Sequence, residues 1–417
     1  MSRTKLYVGI DVSNAKLDVA FVDDQTRTVR PQASFPNEPA GWTELRDAVV
    51  AASAKLGAGA EVVCGMESTS NMHKRIEQAL RAEKRCKVEV HVLNPLAVKH
   101  FAKVLLKDSK NDRIDSHLIA LFLLRMQPEP APEMPDEFEE FKEATRTRRR
   151  LVEERTAAKN RLHKLLRYHF PGYRKVVGNH MSQRLLTVLS QMPSPHALLE
   201  RTEEELADIR YGRRHRVGSK FAKRLHELAA QAPRLQLPEV TQMLVQTTAQ
   251  RILEINALVE RLDKAIARML DRLFPEQVLT SIPGLGAVSV AAILAEVGDV
   301  GRFHSKEQFV GYCGLYPIVW ESGQAKRRYR MTWKGNRMLK MTLLVCSAAA
   351  RQYNPVISAF YQWLRRRDKS KKAAGGAIAR KMAEIVFTLL VRNEPWDVDK
   401  ANRGMQKAEA MLQKKAA

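Results

Sequence analysis

Asp11 closes the apolar run Val8-Gly9-Ile10, and an acid inside an apolar strand is costly unless something charged compensates it. Glu67 stands at the end of a second apolar run, Glu61-Val-Val-Cys-Gly-Met, the strand end where open α/β sheets place their sites. Asp112 and Asp115 are spaced i and i+3, so on a helix both project from one face. Four carboxylates that meet repel one another, and a hard cation is the usual remedy. Magnesium fits, because it takes oxygen ligands and leaves positions for a substrate phosphate. Two such ions activate a nucleophile and stabilise the leaving oxygen of a phosphodiester. Singly, each signal is unspecific. A helical Asp-x-x-Asp is more often an exposed face or a cap, and Gly-Ile-Asp after a strand also occurs in sugar kinases and actin-like ATPases. The order is the informative part: strand Asp, strand-end Glu, late-helix Asp pair.

A second constellation lies far downstream. Tyr316-Pro-Ile-Val-Trp-Glu-Ser322-Gly323 is followed by Lys326, Arg327, Arg328 and Arg330, with Lys334 and Arg337 extending the run. Clustered guanidinium groups suit a scissile phosphate. A serine beside glycine has an accessible hydroxyl, but no neighbouring His or Asp supplies a base, so the residues alone do not nominate Ser322 as a nucleophile. Upstream, Pro283-Gly284-Leu-Gly286 between apolar runs resembles a helix-hairpin-helix. Its glycines admit close backbone approach, and N–H groups at the next helix start can bind a phosphate. A plain tight turn between packed helices is the competing reading.

The elements that must hold these residues follow from periodicity. Residues 5–12, 17–22 and 28–35 read as strands, 39–53 as a helix, and 61–66 as a strand ending at Glu67. A helix over 71–83, a strand over 87–92, a helix opened by Asn94-Pro95 and another over 112–126 follow. Three strands and then alternating units predict a mixed sheet covered by helices, a ribonuclease-H-like succession. Residues 127–140 form a Pro-rich acidic linker. The middle of the chain, 141–278, is helical. Ile252, Ile255, Val259, Leu262, Ile266, Met269 and Leu273 form a heptad seam, and a weaker seam over 144–167 is its candidate antiparallel partner. Residues 170–240 are an insert of shorter helices broken by prolines, with a basic patch from Arg210 to Arg224. Residues 337–363 and 373–392 read as helices, and 396–417 as a basic tail.

The chain has 417 residues, with 70 Lys+Arg against 46 Asp+Glu and a net charge of +24. Such a surplus implies a polyanionic partner. It is unevenly spread: residues 1–140 are net −2, 141–280 net +12 and 281–417 net +14. From Ser322 to Ala383 sixteen basic residues face one carboxylate, Asp368, whereas a solvated face usually mixes signs. No apolar run long enough for a membrane span is present, and the N-terminus lacks the pattern of a signal peptide. Cys64, Cys86, Cys313 and Cys346 form no metal or disulfide spacing and read as reduced thiols of a cytoplasmic, nucleoid-associated protein.

Together these residues resemble the DEDD transposases of bacterial insertion sequences, the group that includes the Piv-type DNA invertases. Four stretches carry the resemblance: Val8-Gly-Ile-Asp11-Val-Ser through Lys16-Leu-Asp-Val; Met66-Glu67-Ser-Thr-Ser; Lys110-Asn-Asp112-Arg-Ile-Asp115-Ser; and Ile282-Pro-Gly-Leu-Gly with Gly311-Tyr-Cys-Gly-Leu-Tyr-Pro, Glu321-Ser-Gly and Trp333-Lys-Gly-Asn-Arg. The resemblance implies a RuvC-like (RNase H-like) α/β domain over 1–126 with a metal tetrad of Asp11, Glu67, Asp112 and Asp115. It implies a mainly α C-terminal transposase domain over 279–395 with Ser322 as catalytic serine. It also implies DNA as substrate, a homodimer or homotetramer, and in some members an element-encoded guide RNA. Asn111 and Ser116 depart from the usual Thr and Ala beside the tetrad and leave the acids in place. A RuvC-like junction endonuclease without a covalent serine, and a noncatalytic nucleic-acid-binding protein, are the alternatives. The charge distribution predicts that deleting residues 1–126 preserves nucleic-acid affinity and abolishes cleavage. A mobility-shift assay beside a nicking assay checks it, and loss of binding by the deletion protein would contradict it.

Overall fold

The computed structural model describes residues 4–57, 59–68, 72–105, 112–130, 134–170, 172–174, 181–212, 214–232, 237–320 and 328–403, without the side chains of 112–114, 319–320 and 328–330. Residues 1–133 and 134–417 form two compact units.

In the first unit, strand β1 (Lys5–Val12) turns through Ser13, whose hydroxyl donates to the Lys16 carbonyl at 2.8 Å, into antiparallel β2 (Lys16–Asp23). β3 (Thr28–Pro36) pairs with β2, again antiparallel. After helix α1 (Pro39–Lys55), β4 (Glu61–Glu67) returns parallel to β1, with Lys5 opposite Glu61 and Ile10 opposite Met66. Helix α2 (His73–Arg81) leads to β5 (Val88–Leu93), parallel to β4. Asn94 then caps α3 (Pro95–Val104), accepting from the Leu96 amide at 2.9 Å, and α4 (Asp112–Met126) completes the unit. The sheet order is β3-β2-β1-β4-β5. This mixed sheet is compatible with a ribonuclease-H-like start.

Strand alternation sorts the two faces. Leu6, Val8, Ile10, Cys64 and Met66 pack with Leu45 and Val49 of α1 and Ile76 and Leu80 of α2. Tyr7, Val63 and Leu93 pack with Leu118, Ile119 and Leu123 of α4. On this second face two glycines stand side by side, Gly9 opposite Gly65. A Cβ on Gly9 would lie 2.0 Å from the Ser116 carbonyl oxygen, and one on Gly65 would lie 2.7 Å from Leu123. The backbone of α4 therefore rests directly on the sheet at Gly9, and the Leu123 side chain fills the space over Gly65.

The second unit is built on two long helices, α5 (Asp136–His169) and, after an insert, α10 (Glu239–Leu273). Contacts Arg272–Glu137, Arg148–Asp263, Arg155–Asn256 and Arg251–Glu154 show that they run antiparallel. α5 begins inside the 127–140 stretch because Pro135 sets its entry and Asp136, Glu137 and Glu139 favour the positive end of its dipole. Ile252, Ile255, Val259 and Ile266 of the heptad seam are buried within the chain and Leu262, Met269 and Leu273 are partly buried, so this seam is not a free face for a second copy.

Each end of the helix pair enters a separate core. Phe138, Phe141, Ile266 and Leu270 join the C-terminal core. Ala158, Leu162, Leu166, Val245 and Ala249 join a second core made by the insert: α6 (Gln183–Gln191), α7 (Pro195–Leu199), α8 (Glu203–Asp208), the short hairpin β6 (Arg210–Tyr211) and β7 (His215–Arg216), and α9 (Ser219–Ala230).

Beyond α10 come a 3₁₀ turn (Val278–Ser281), α11 (Ala287–Val297) and α12 (Lys306–Tyr312), then strands β8 (Pro317–Trp320) and β9 (Arg328–Met331), paired antiparallel. α13 (Arg337–Tyr353), α14 (Pro355–Arg366) and α15 (Lys371–Arg392) follow. The helix expected over 337–363 breaks at Asn354-Pro355, where proline cannot donate and the Asn354 side chain caps α14 instead. Among the described residues no helix is long and apolar enough to cross a membrane. The cysteines are free, and burial pushes the Cys313 thiol up to about 12, which leaves it protonated and unreactive.

The glycine contact predicts a clear substitution effect. Gly9→Ala drives a methyl group into the α4 backbone and should destabilise the first unit by about 1–3 kcal/mol or more. Gly286→Ala, where a Cβ meets nothing within 4 Å, should cost little. Chemical denaturation of both variants checks this, and equal stabilities would refute the close-packing account.

Candidate active site

The β1–β4 pairing ends at Ile10 opposite Met66, and the next residues along the two strands are Asp11 and Glu67. Alternation puts both on the α4 face, two residues beyond Gly9 and Gly65. Both are partly exposed, as a site open to substrate requires. Because Gly9 lies against Ser116, the first turn of α4 is held at the same sheet face, and Asp115 directly precedes Ser116. Asp112 opens α4, and its side chain lies outside the described residues. The donor set is all oxygen, the chemistry a magnesium ion takes. Among the described residues no three His, Cys, Asp or Glu side chains group closely enough to hold a metal ion.

One acid on this face escaped the sequence reading. Asp18 on β2 stands directly across from Asp11, is buried, and pairs with Lys16 at 2.9 Å. Like charges opposite one another in a ladder are unfavourable, and the lysine offsets part of that cost. The signal was available: a hairpin turning at residues 13–16 pairs positions that sum to 29.

The C-terminal constellation sits on a different framework. Residues 321–327, with Ser322, Lys326 and Arg327, lie outside the described residues, and Arg328 and Arg330 are described through the β9 backbone only. What holds the β8–β9 hairpin is well defined. Glu296 of α11 is 3% exposed and receives Arg146 of α5 bidentately, at 2.6 and 2.9 Å. Asn336 donates to the same carboxylate at 2.7 Å and to the Tyr312 hydroxyl at 3.1 Å. That hydroxyl donates to the Glu296 carbonyl at 3.0 Å, while the Asn336 side chain accepts from Leu339 and caps α13. Gly314 and Gly335, both at positive φ, meet backbone to backbone, since a Cβ on Gly335 would lie 2.6 Å from the Gly314 nitrogen. Both feet of the hairpin are thus clamped to α11. Beside it the exposed Trp333 carries the Lys334 ammonium 5.9 Å above its ring, and Arg337 is also exposed.

The Pro283-Gly-Leu-Gly turn divides its two glycines. Gly284, at φ 96°, abuts α13: a Cβ there would meet the Ala350 backbone at 2.8 Å. A side chain at this position would collide with α13. Gly286 precedes α11 with open space beside it.

Burial alone pushes the Glu296 carboxyl up, and the hydrogen bonds from Arg146 and Asn336 more than reverse this, so it is held below the ordinary carboxylate range. A depressed folded-state pKa stabilises above the unfolded value, near 4, and that contribution is lost as pH falls through the folded one. Arg146→Ala strands a buried charge and should cost about 3–5 kcal/mol at neutral pH. Glu296→Gln should cost less and flatten the acid limb of the stability profile. Urea titrations from pH 3 to 7 check both, and an Arg146→Ala protein as stable as the parent would overturn the clamp.

Known proteins align with both constellations. The DEDD transposase model of IS110 matches residues 8–171, which carry the four acids and Arg146, and the model of the IS116/IS110/IS902 transposase family matches residues 276–362, which carry Glu296, Tyr312, Asn336 and Ser322. The IS117 mini-circle protein of Streptomyces coelicolor is 26% identical over 377 residues, 87% of this chain and 88% of that protein. The 43.6 kDa protein of insertion element IS110 from the same organism is 25% identical over 242 residues, 58% of this chain, and the match spans only 60% of that relative's length. The pilin gene-inverting protein of Moraxella bovis is 27% identical over 122 residues, 28% of this chain and 38% of that protein. With two family models matched in order at the two candidate sites, the chain belongs to the IS110 family of insertion-element transposases.

Proposed function

We propose that this protein is a transposase that cuts and rejoins DNA strands, with Asp11, Glu67, Asp112 and Asp115 as metal-holding carboxylates and Ser322 as nucleophile. The observation that carries the reading is the adjacency of Asp11 and Glu67 at the ends of paired parallel strands, on the face covered by the helix that Asp112 opens. The oxygen donor set suits magnesium, two ions by the resemblance. Bound there, the metal supplies charge neutralisation at a phosphodiester. A RuvC-like RNase H-like fold is the finer description of the first unit that this reading adopts.

The remaining chemistry belongs to the chain. The Ser322 hydroxyl attacks phosphorus, a serine–phosphate bond forms, and the DNA oxygen leaves with the proton that the hydroxyl gives up. Attack by a DNA hydroxyl on that phosphoserine reverses the steps and rejoins strands without outside energy. Lys326, Arg327, Arg328, Arg330, Lys334 and Arg337 hold phosphates around the serine, and Gly286 offers a backbone contact at the start of α11. The two sites must meet, so a homodimer or homotetramer is the proposed active form, though not through the buried 252–273 seam. An element-encoded guide RNA is a further proposed partner.

Excision of a plasmid-borne element by Asp11→Asn and Ser322→Ala proteins tests the scheme. Both should lose activity by about 10³-fold or more, and only the parent should leave DNA covalently attached after denaturation. Near-normal excision by Ser322→Ala would remove the covalent serine and leave a metal-dependent nuclease.

A further inference from the structure

The insert at the far end of the α5–α10 pair carries a surface that the strand-cutting chemistry does not use. Residues 209–224 hold seven basic residues and no acid. The hairpin is locked to its core: the Val217 amide donates to Ile209 at 2.9 Å, Gly218 to Ala207 at 2.9 Å, and Arg184 lies 3.9 Å above the Phe221 ring. Phe221, Ala222, Leu225 and Ala229 bury one face of α9, which leaves Lys220, Lys223 and Arg224 exposed at i, i+3 and i+4 spacing. Arg210 and Arg214 are exposed on the hairpin, and Tyr211 stacks on His215 at 5.7 Å.

Several surface arginines of α5 and α10 are answered by acids, as in Arg149–Glu153, Arg150–Glu143 and Arg251–Glu154, while Arg161, Arg167, Arg261 and Arg268 have no described carboxylate partner. On the hairpin and α9, Arg216 alone has such a partner, Asp208; no described carboxylate answers Arg210, Arg214, Lys220, Lys223 or Arg224. Unanswered like charges on rigid elements repel and weaken the fold, a cost that a phosphate backbone relieves. The two cores joined by α5 and α10 are about 30 Å apart by helical rise, the length of roughly nine base pairs of duplex.

We propose that the β6–β7 hairpin and the exposed face of α9 form a second, sequence-independent contact for the backbone of double-stranded DNA, spaced along the helix pair from the C-terminal domain. The choice of DNA as the polyanion rests on the transposase reading. The placement itself rests on the charge pattern.

The test uses the full-length protein with a 30-base-pair duplex of unrelated sequence, in EDTA so that no cleavage enters. In the unaltered protein, Lys220 and Lys223 should be protected from acetylation by the duplex, read by mass spectrometry. A protein with Arg210, Arg214 and Arg224 each changed to Gln should bind about tenfold more weakly at physiological salt, with its log–log salt slope shallower by about 2–3. Equal lysine reactivity with and without duplex overturns the proposal, and so does an unchanged slope. Protection by a structured RNA of equal length but not by the duplex overturns the assignment to DNA. If the triple variant fails to fold, the protection result on the unaltered protein decides. Because no strand is cut, failure of the serine or metal scheme leaves this readout untouched, and the reverse holds too.

Discussion

Glu296 lies in a helix whose other buried positions are Val290, Ala291, Ile293, Leu294, Ala295 and Val297. Ionised and unpartnered there, it would cost several kcal/mol. Arg146, 150 positions upstream, and Asn336, 40 positions downstream, complete its hydrogen bonds. The carboxylate has one low-energy arrangement, and that arrangement fixes three distant stretches of chain at once: the base of α5, the approach to β8 and the exit from β9. Since α5 also enters the second core through Leu162 and Leu166, the direction in which the insert is carried depends on the same ion pair.

The first unit positions its acids by the opposite device, the absence of side chains. Gly9 lets the α4 backbone settle on the sheet and Gly65 admits the Leu123 side chain, which keeps the turn bearing Asp115 beside the strand ends bearing Asp11 and Glu67. A larger residue in that row would lift the helix and separate acids that belong to different elements. Close packing of this kind constrains a site more tightly than a loop would, because helix and sheet move as packed bodies. Lys16 and Asp18 belong to the same economy of charge: the ladder places a second acid against Asp11 and a cation beside it.

Much of the first unit was legible because its signals are local. Alternation gave β1, β2 and β4, and Asn94-Pro95 gave the start of α3, since strand faces and helix caps depend on neighbours a few residues away. The antiparallel α5–α10 pair was also readable from its two seams. The apolar period could not say whether the stronger seam faces this chain or a copy of it. Long-range pairing stayed hidden. Glu296 reads as one acid in an apolar helix, and nothing near it announces Arg146. Gly284 illustrates the same limit, because a flexible turn and a helix-contact glycine share one sequence, and only the position of Ala350 decides. Pro355 was misread as lying within a helix, although proline at a first helical position is itself a start signal.

The separation of charge between the units bears on how the chemistry is divided. A cluster of carboxylates repels a phosphodiester until cations enter, and the first unit, nearly neutral at net +2 over residues 1–133, offers a polyanion little attraction. Residues 141–280 and 281–417 carry net +12 and +14, and carboxylates are scarcest from Ser322 to Ala383. A larger basic surplus on the first unit would pair with its acids, as Lys16 does with Asp18, and would leave fewer carboxylates for the proposed metal. In the proposed scheme the metal-holding acids lie on the nearly neutral unit, and the serine with most of the basic surplus lies on the other.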